Sequence, residues 1–280
     1  MKKKDLTKRS LISLSFVLVL VFAVSAMFAG CNNTSSSQGD NSWEKIKEKG
    51  VLVLGLDDNF PPMGFRDGKG EIIGFDIDVA REVCSRLGIE LKLQPIDWSA
   101  KEQELNSGNI DCIWNGFTIT EERKENVLFT EPYMKSRQII IVLANSPYNQ
   151  LSDLEGKKLG LQAESSADDA LNASEDFKSK LKEVVYFDDN YMAFMDLVKG
   201  GVDAVLMDEP AAKYYMQLIN NNIRIFDKEL AIEQYGIGFR KSDKALMQKV
   251  QETLKEMAKD GKLAEISNKW FGEDITIIGK

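Results

Sequence analysis

The sequence predicts an α/β protein of two similar lobes, and three observations carry that prediction. From Trp43 onward, short apolar runs alternate with amphipathic helical stretches, the pattern of mostly parallel sheets flanked by helices. One segment is echoed at an offset of 92: Leu105-Asn-Ser-Gly108-Asn-Ile110-Asp111-Cys-Ile113 against Leu197-Val-Lys-Gly200-Gly-Val202-Asp203-Ala-Val205. A second echo sets Leu54-Gly55-Leu56-Asp57 against Leu159-Gly160-Leu161-Gln162. Two echoes in the same order point to duplicated lobes.

The elements follow in order. Val51-Leu-Val-Leu-Gly-Leu56 reads as a buried strand. Residues 72–75 lead into a helix over 76–87, with Ile77, Ala80, Val83, Cys84 and Leu87 on one face. Residues 91–96 form the next strand, 100–106 a helix and 110–114 a strand. Each half of the longer echo reads as helix, glycine cap, then a strand entered through an aspartate. Tyr235-Gly-Ile-Gly-Phe-Arg240 reads as a strand, and amphipathic helices over 243–260 and 263–271 follow it. These late elements complete the first lobe, so the chain crosses over twice, near 133–137 and 231–235, as a two-strand hinge. The lobes are then 43–134 plus 235–280, and 135–234. Open α/β sheets bind ligands beyond the carboxyl ends of their strands, and two facing lobes put both sets of ends into one cleft.

The first thirty residues stand apart. Lys2, Lys3, Lys4, Lys8 and Arg9 make a basic start, and residues 11–29 are apolar with small polar interruptions, a secretory signal rather than a folded element. Its end, Phe28-Ala29-Gly30-Cys31, resembles the lipobox of bacterial lipoproteins, in which the cysteine is lipidated and becomes the first residue; Phe28 stands where leucine is usual. The alternative is an uncleaved anchor, and either places the protein outside the cytoplasmic membrane and tethered to it. The rest of 31–42 is rich in Ser, Asn and Gly and reads as a flexible tether. Removing residues 1–30 takes away five basic groups and one acid, moving the net charge from −8 to −12. So acidic a body is poorly suited to nucleic acid or anionic lipid.

Histidine is absent, which removes Ser-His-Asp and Cys-His catalysis and most zinc sites. No metal or cofactor is expected. After Cys31 only Cys84 and Cys112 remain, both on apolar faces; buried thiols and a disulfide are both open to an exported chain.

Candidate cleft residues sit at five strand ends. After the first strand come Asp57 and Phe60, on a turn stiffened by Pro61 and Pro62; after the strand over 91–96 comes Trp98. The strand over 110–114 delivers Asn115-Gly116-Phe117-Thr118-Ile119-Thr120-Glu121-Glu122-Arg123. A strand that ends in a glycine turn and opens a helix presents N–H groups and a hydroxyl to an anion, and an arginine one turn on can fork onto a carboxylate. In the second lobe Gln162, Ser165 and Ser166 follow a strand and open a helix, and the last strand delivers Asp208. Singly, each has a plain structural reading as core, turn cap or helix cap. Together, one cation, two anion-receptive helix starts, acids on both lobes and two flat aromatics suit a zwitterion with an extended polar side chain.

Over residues 43–272 the chain resembles the polar amino-acid-binding proteins of ABC importers, a bilobal periplasmic-binding-protein-like family that includes glutamine-, histidine- and lysine/arginine/ornithine-binding proteins. The resemblance rests on Gly74-Phe-Asp-Ile-Asp78, Asn109-Ile-Asp111, Gly116-Phe-Thr-Ile-Thr120-Glu-Glu-Arg123, Asp203-Ala-Val-Leu-Met-Asp208, Tyr235-Gly-Ile-Gly238 and Lys269-Trp-Phe-Gly272. It implies that Arg123 holds the ligand α-carboxylate, helped by Thr118 and the Ser166 N–H. Asp208, with Thr118 and the carbonyl at Asn115 or Gly116, takes the α-ammonium. Phe60 and Trp98 sandwich the side-chain stem, Asp57 meets its polar end, and Gln162 is a longer contact from the second lobe. Asn115 replaces a small residue common at its place.

A carboxylate at Asp57 favours guanidinium, ammonium or amide donors over glutamate or aspartate, and the aromatics suit an arginine plane. Arginine or lysine is therefore expected first, with glutamine, histidine and cystine open. The resemblance further implies a monomer that closes on its ligand and docks on a membrane permease. The chain has no Gly-x4-Gly-Lys-Ser/Thr loop of its own for ATP. Two rival functions share the fold: a sensing receptor or adhesin, and a dehydratase of cyclic amino acids using Lys101 and Glu102. The expectation for those two residues is a solvated helix face.

Overall fold

The computed structural model describes residues 39–218 and 222–279, and its compact unit begins at Asp40. Residues 1–30, read above as a signal, Cys31 and most of the stretch read as a tether lie outside the described residues. The first lobe opens with α1 (Ser42–Lys49), β1 (Val51–Leu56), β2 (Asn59–Phe60), β3 (Gly64–Arg66) and β4 (Ile72–Ile73). It continues through α2 (Phe75–Leu87), β5 (Glu90–Pro95), α3 (Lys101–Asn106), β6 (Cys112–Ile113), α4 (Glu121–Asn126) and β7 (Val127–Phe129). The second lobe holds β8 (Met134–Leu143), β9 (Lys158–Gln162), α5 (Ser166–Asn172), α6 (Glu175–Lys180), β10 (Glu183–Phe187), α7 (Asn190–Lys199) and β11 (Ala204–Asp208). It ends with α8 (Glu209–Leu218), β12 (Ile223–Ile225) and β13 (Ala231–Tyr235); the chain then returns through β14 (Gly238–Arg240), α9 (Lys244–Lys259) and α10 (Lys262–Phe271).

The first sheet runs β5-β1-β6-β14-β7, and the second β10-β9-β11-β8-β12 with β13 also on β8. Each is mixed. β5, β1 and β6 are parallel to one another, as are β10, β9 and β11, but β14, β7, β8, β12 and β13 pair antiparallel. The expectation of mostly parallel sheets holds in strand direction: β14 in the first sheet and β8 in the second are the strands that run against the rest. Parallel neighbours need a long crossover, which α2, α3 and α7 provide; a strand arriving directly from the other lobe enters in the opposite sense. β2, β3 and β4 form a small third sheet that the alternation did not reveal.

The 92-residue echo has a physical basis. Gly108 and Gly200 end their helices at φ of 78° and 79°, the left-handed region that favours glycine. Asp111 then accepts a hydrogen bond from the Val53 N–H at 2.8 Å, and Asp203 accepts one from the Lys158 N–H at 2.9 Å. In each lobe the same aspartate ties the incoming strand to its parallel neighbour.

At the crossover Met134 faces Tyr235 and Gln138 faces Ala231 in antiparallel register, which makes the two-strand link between the lobes. Below the first sheet, α2, α9 and α10 pack on one another around Phe75, Leu246, Val250 and Leu254. Cys84 and Cys112 are free, buried thiols, and burial pushes Cys84 up to about 12.

Candidate functional site: an interlobe cleft

Gly116 fixes the turn after β6. Its φ is 55°, and a Cβ there would lie 2.7 Å from Phe60 Cε1. Its N–H donates to Asp76 Oδ2 at 2.6 Å, and the Tyr133 hydroxyl donates to the same oxygen at 3.0 Å. Burial pushes the Asp76 carboxyl up to about 7. Thr118 then bridges to Tyr235, so the segment is pinned between the first sheet and the hinge.

Thr120 caps α4 by accepting from the Arg123 N–H at 3.1 Å, which sets the arginine one turn into the helix. The guanidinium is buried over the Phe117 ring at 5.0 Å. It donates to the Thr118 carbonyl at 3.0 Å and meets Asp169, from the second lobe, at 3.4 Å. Burial lowers its pKa, with Asp169 and Glu233 opposing, and an arginine stays charged regardless. Asp169 is half exposed, so Arg123 keeps capacity for a better anion.

The remaining strand ends converge on this turn. Asp57 follows β1, Phe60 lies in β2, and Trp98 heads a short 3-10 turn. Across the cleft Gln162 ends β9, Ser165 and Ser166 open α5, and Asp208 ends β11. All eleven residues singled out in the sequence line one cavity, with Asn190 as a twelfth. Ser165 turns its hydroxyl back to the Gln162 carbonyl at 2.8 Å rather than capping the helix.

Charge divides the cavity into two ends. At one, Asp208 is buried near Arg123 and accepts from the Tyr235 hydroxyl at 2.6 Å; burial raises its pKa, which that bond and Arg123 partly offset. At the other, Asp57 accepts from the Asn59 N–H at 2.8 Å and from Gln162 Nε2 at 2.9 Å. Burial, with smaller contributions from Asp189 and Asp58, raises Asp57 to about 6.

The sequence pattern of the bacterial extracellular solute-binding proteins, family 3, matches residues 52–273. The chain belongs to that family. It is 32% identical over 263 residues to the L-cystine-binding protein TcyJ of Escherichia coli K12, covering 92% of this chain and 96% of the relative. Among solved structures it is similar to Tv2483 bound to L-arginine, at 34% identity, TM-score 0.83, and coverage of 86% and 99%. It is similar, too, to a substrate-binding protein of an ABC uptake transporter from Streptococcus pneumoniae with bound histidine, at 39% identity, TM-score 0.82, and coverage of 85% and 98%.

Three residues of this solute-binding protein escaped the strand-end reading. Asn190, first in α7, donates to Gln162 Oε1 at 2.9 Å, while its own Oδ1 has no partner among the described residues. Glu233, on β13, accepts from Thr118 Oγ1 at 2.9 Å, Gln138 Nε2 at 3.1 Å and Ser166 Oγ at 3.3 Å. Burial and then Asp208 push it up to about 7. Lys101 corrects an expectation: it is 5% exposed, not on a solvated face, and Glu102 beside it is half-buried. Its position is set by Leu105, one turn on and fully buried. Lys101 Nζ donates to the Trp98 carbonyl at 3.2 Å and, across the cleft, to the Glu164 carbonyl at 3.0 Å. Burial lowers it to about 8, and Arg123 adds to that.

Proposed function

We propose that the protein captures a polar L-amino acid, a basic one first, in the interlobe cleft and delivers it to the permease of an ABC importer. One observation carries this reading: a buried guanidinium, Arg123, and a buried carboxyl, Asp208, face one cavity. They are counter-charges for the α-carboxylate and α-ammonium of a zwitterion. Thr118, Ser166, and the backbone at Asn115 and Gly116 complete that end, and Phe60 and Trp98 flank the stem. L-cystine, for which one relative is named, and the L-arginine and histidine bound in two solved neighbours share the α-carboxylate and α-ammonium and differ in the side chain.

The far end favours a donor. Asp57 and Asn190 Oδ1 are acceptors, and Asp189 adds negative charge beside them. Ligand contacts from both lobes stabilise the closed form, so closure needs no further energy source. In the same reading residues 1–30 are a signal, Cys31 carries the lipid, 31–42 is the tether, and the protein works as a monomer on the outer face of the cytoplasmic membrane.

A thermal-shift screen tests this, using protein stripped of carried-over ligand by partial unfolding and dialysis. The panel is the twenty L-amino acids with ornithine, citrulline and cystine. Ligand at about 100 times Kd adds roughly 2.7 kcal/mol, a shift of about 5–10 °C for a chain of this size. The expected response is to arginine, lysine or ornithine, and it disappears in Arg123→Ala. A glutamine or cystine response would remove the basic assignment alone. Silence across the panel would refute the amino-acid reading.

A further inference from the structure

Glu233 is not in the cavity wall, but it touches two groups that are. Thr118 reaches it from the first lobe and Ser166 from the second, while Gln138 of β8 stands beside both. Thr118 Oγ1 and Gln138 Nε2 also lie 3.1 Å from Ser166 Oγ, so the four side chains form one closed cluster. A hydroxyl has one hydrogen and two lone pairs. Once the hydrogen is committed to Glu233, the oxygen can only accept from whatever stands on its other side.

We propose that Glu233 fixes the polarity of the two cavity hydroxyls, Thr118 and Ser166, so that they accept hydrogen bonds from a ligand's α-ammonium. It is a positioning residue acting through them, and the proposal rests on the amino-acid reading above. A protonated Glu233 would donate its own hydrogen to one hydroxyl, and that hydroxyl would then offer its hydrogen to the cavity, matching a carboxylate instead. The charged groups facing Glu233 are Asp208 from β11 and Arg123 from α4; Tyr235, Gln138, Thr118 and Ser166 are neutral. Two acids share one guanidinium, so an arriving ammonium and an ionised Glu233 favour each other. With Glu233 held at about 7 in the free protein, binding draws a proton off it near neutral pH.

The test is calorimetric. Kd is measured for wild type and Glu233→Gln with L-arginine, L-histidine, L-glutamine and L-cystine, at about pH 8 and about pH 5.5. Whichever ligand binds wild type should bind the variant about tenfold more weakly at the upper pH, a tenfold change being one pKa unit. The gap should close at the lower pH, where wild-type Glu233 is neutral as well. Asp57 titrates in both proteins, so the difference between them belongs to Glu233. Equal weakening at both pH values would mean a merely structural role, and that result or equal affinity throughout overturns the proposal. Should Glu233→Gln not fold, Asp57→Asn, which lacks the far-end titrating acid, is measured instead: its affinity must weaken as pH falls and protons must be released on binding at about pH 7, and pH-independent affinity overturns the proposal. A wild type that binds none of the four overturns the amino-acid reading and this proposal with it, an outcome distinct from a wild type that binds and a variant that matches it.

Discussion

Asp57→Asn should stabilise the free protein while crippling its response to a basic ligand. The carboxyl of Asp57 is 7% exposed, and burial raises it from 3.8 to about 6. That shift corresponds to about 3 kcal/mol held against the ionised form. Because the folded value is raised, the group's stabilising contribution is fully present below about pH 4 and is lost as pH rises through about 6. Asparagine escapes that loss. It has one acceptor oxygen for two donors, however, the Asn59 N–H at 2.8 Å and Gln162 Nε2 at 2.9 Å. Leaving one unmet costs about 1–2 kcal/mol. The variant should therefore be about 1–2 kcal/mol more stable than wild type at pH 7, roughly 2–8 °C in Tm, and slightly less stable near pH 4. Bound arginine loses its counter-charge, about 2–3 kcal/mol or roughly a hundredfold in Kd. Differential scanning fluorimetry from about pH 4 to about pH 8, with and without L-arginine, reads both effects. A variant that is less stable at pH 7 and keeps the wild-type pH slope would refute the view of Asp57 as a buried charge awaiting a cation.

Gly116→Ala places a Cβ 2.7 Å from Phe60 Cε1 on a backbone at φ 55°, so unfolding should become easier by about 1–3 kcal/mol, with ligand affinity falling alongside; an unchanged melt would show that the turn can relax. Lys101→Met removes the only lysine bond to the Glu164 carbonyl that crosses the cleft, at 3.0 Å, among the described residues. The free protein should sample more open forms, seen as a larger radius of gyration in solution scattering, and bind a few-fold more weakly, about 1 kcal/mol; an unaltered scattering profile would count against a latch.

The residues that made the fold legible are those whose physics is local. Gly108 and Gly200 announce helix ends because only glycine is at ease at their φ, and Asp111 and Asp203 recur because each ties down a neighbouring strand. The cleft was readable because strand ends are positions in sequence as well as in space. What escaped depended on company from far along the chain. β14 lies between β6 and β7 although over a hundred residues separate it from either, so its antiparallel place in the sheet had no local signature. Glu233 did leave a trace: it alternates with exposed Ile232 and shares a face with buried Tyr235, which period-two reading would have turned inward. Asn190 follows β10, the one strand of the second lobe's parallel trio whose end was left unread. Lys101 had its warning in Leu105, four residues on along the same helix face.

The route of the chain through its two sheets also sets an order of assembly. Every strand of the second sheet comes from residues 134–235, one unbroken stretch, so it can form as soon as those residues exist. The first sheet cannot. Its strand β14 joins β6 to β7, and the helices α9 and α10 that cover it follow β14, so β1, β5 and β6 wait with an open edge for the last forty-odd residues. Nascent chains emerge at about 5–20 residues per second, and the part made first is thereby the part finished last. A lesion near the carboxyl terminus would act on folding of the Arg123 side of the cleft, though it lies far from that arginine in the sequence.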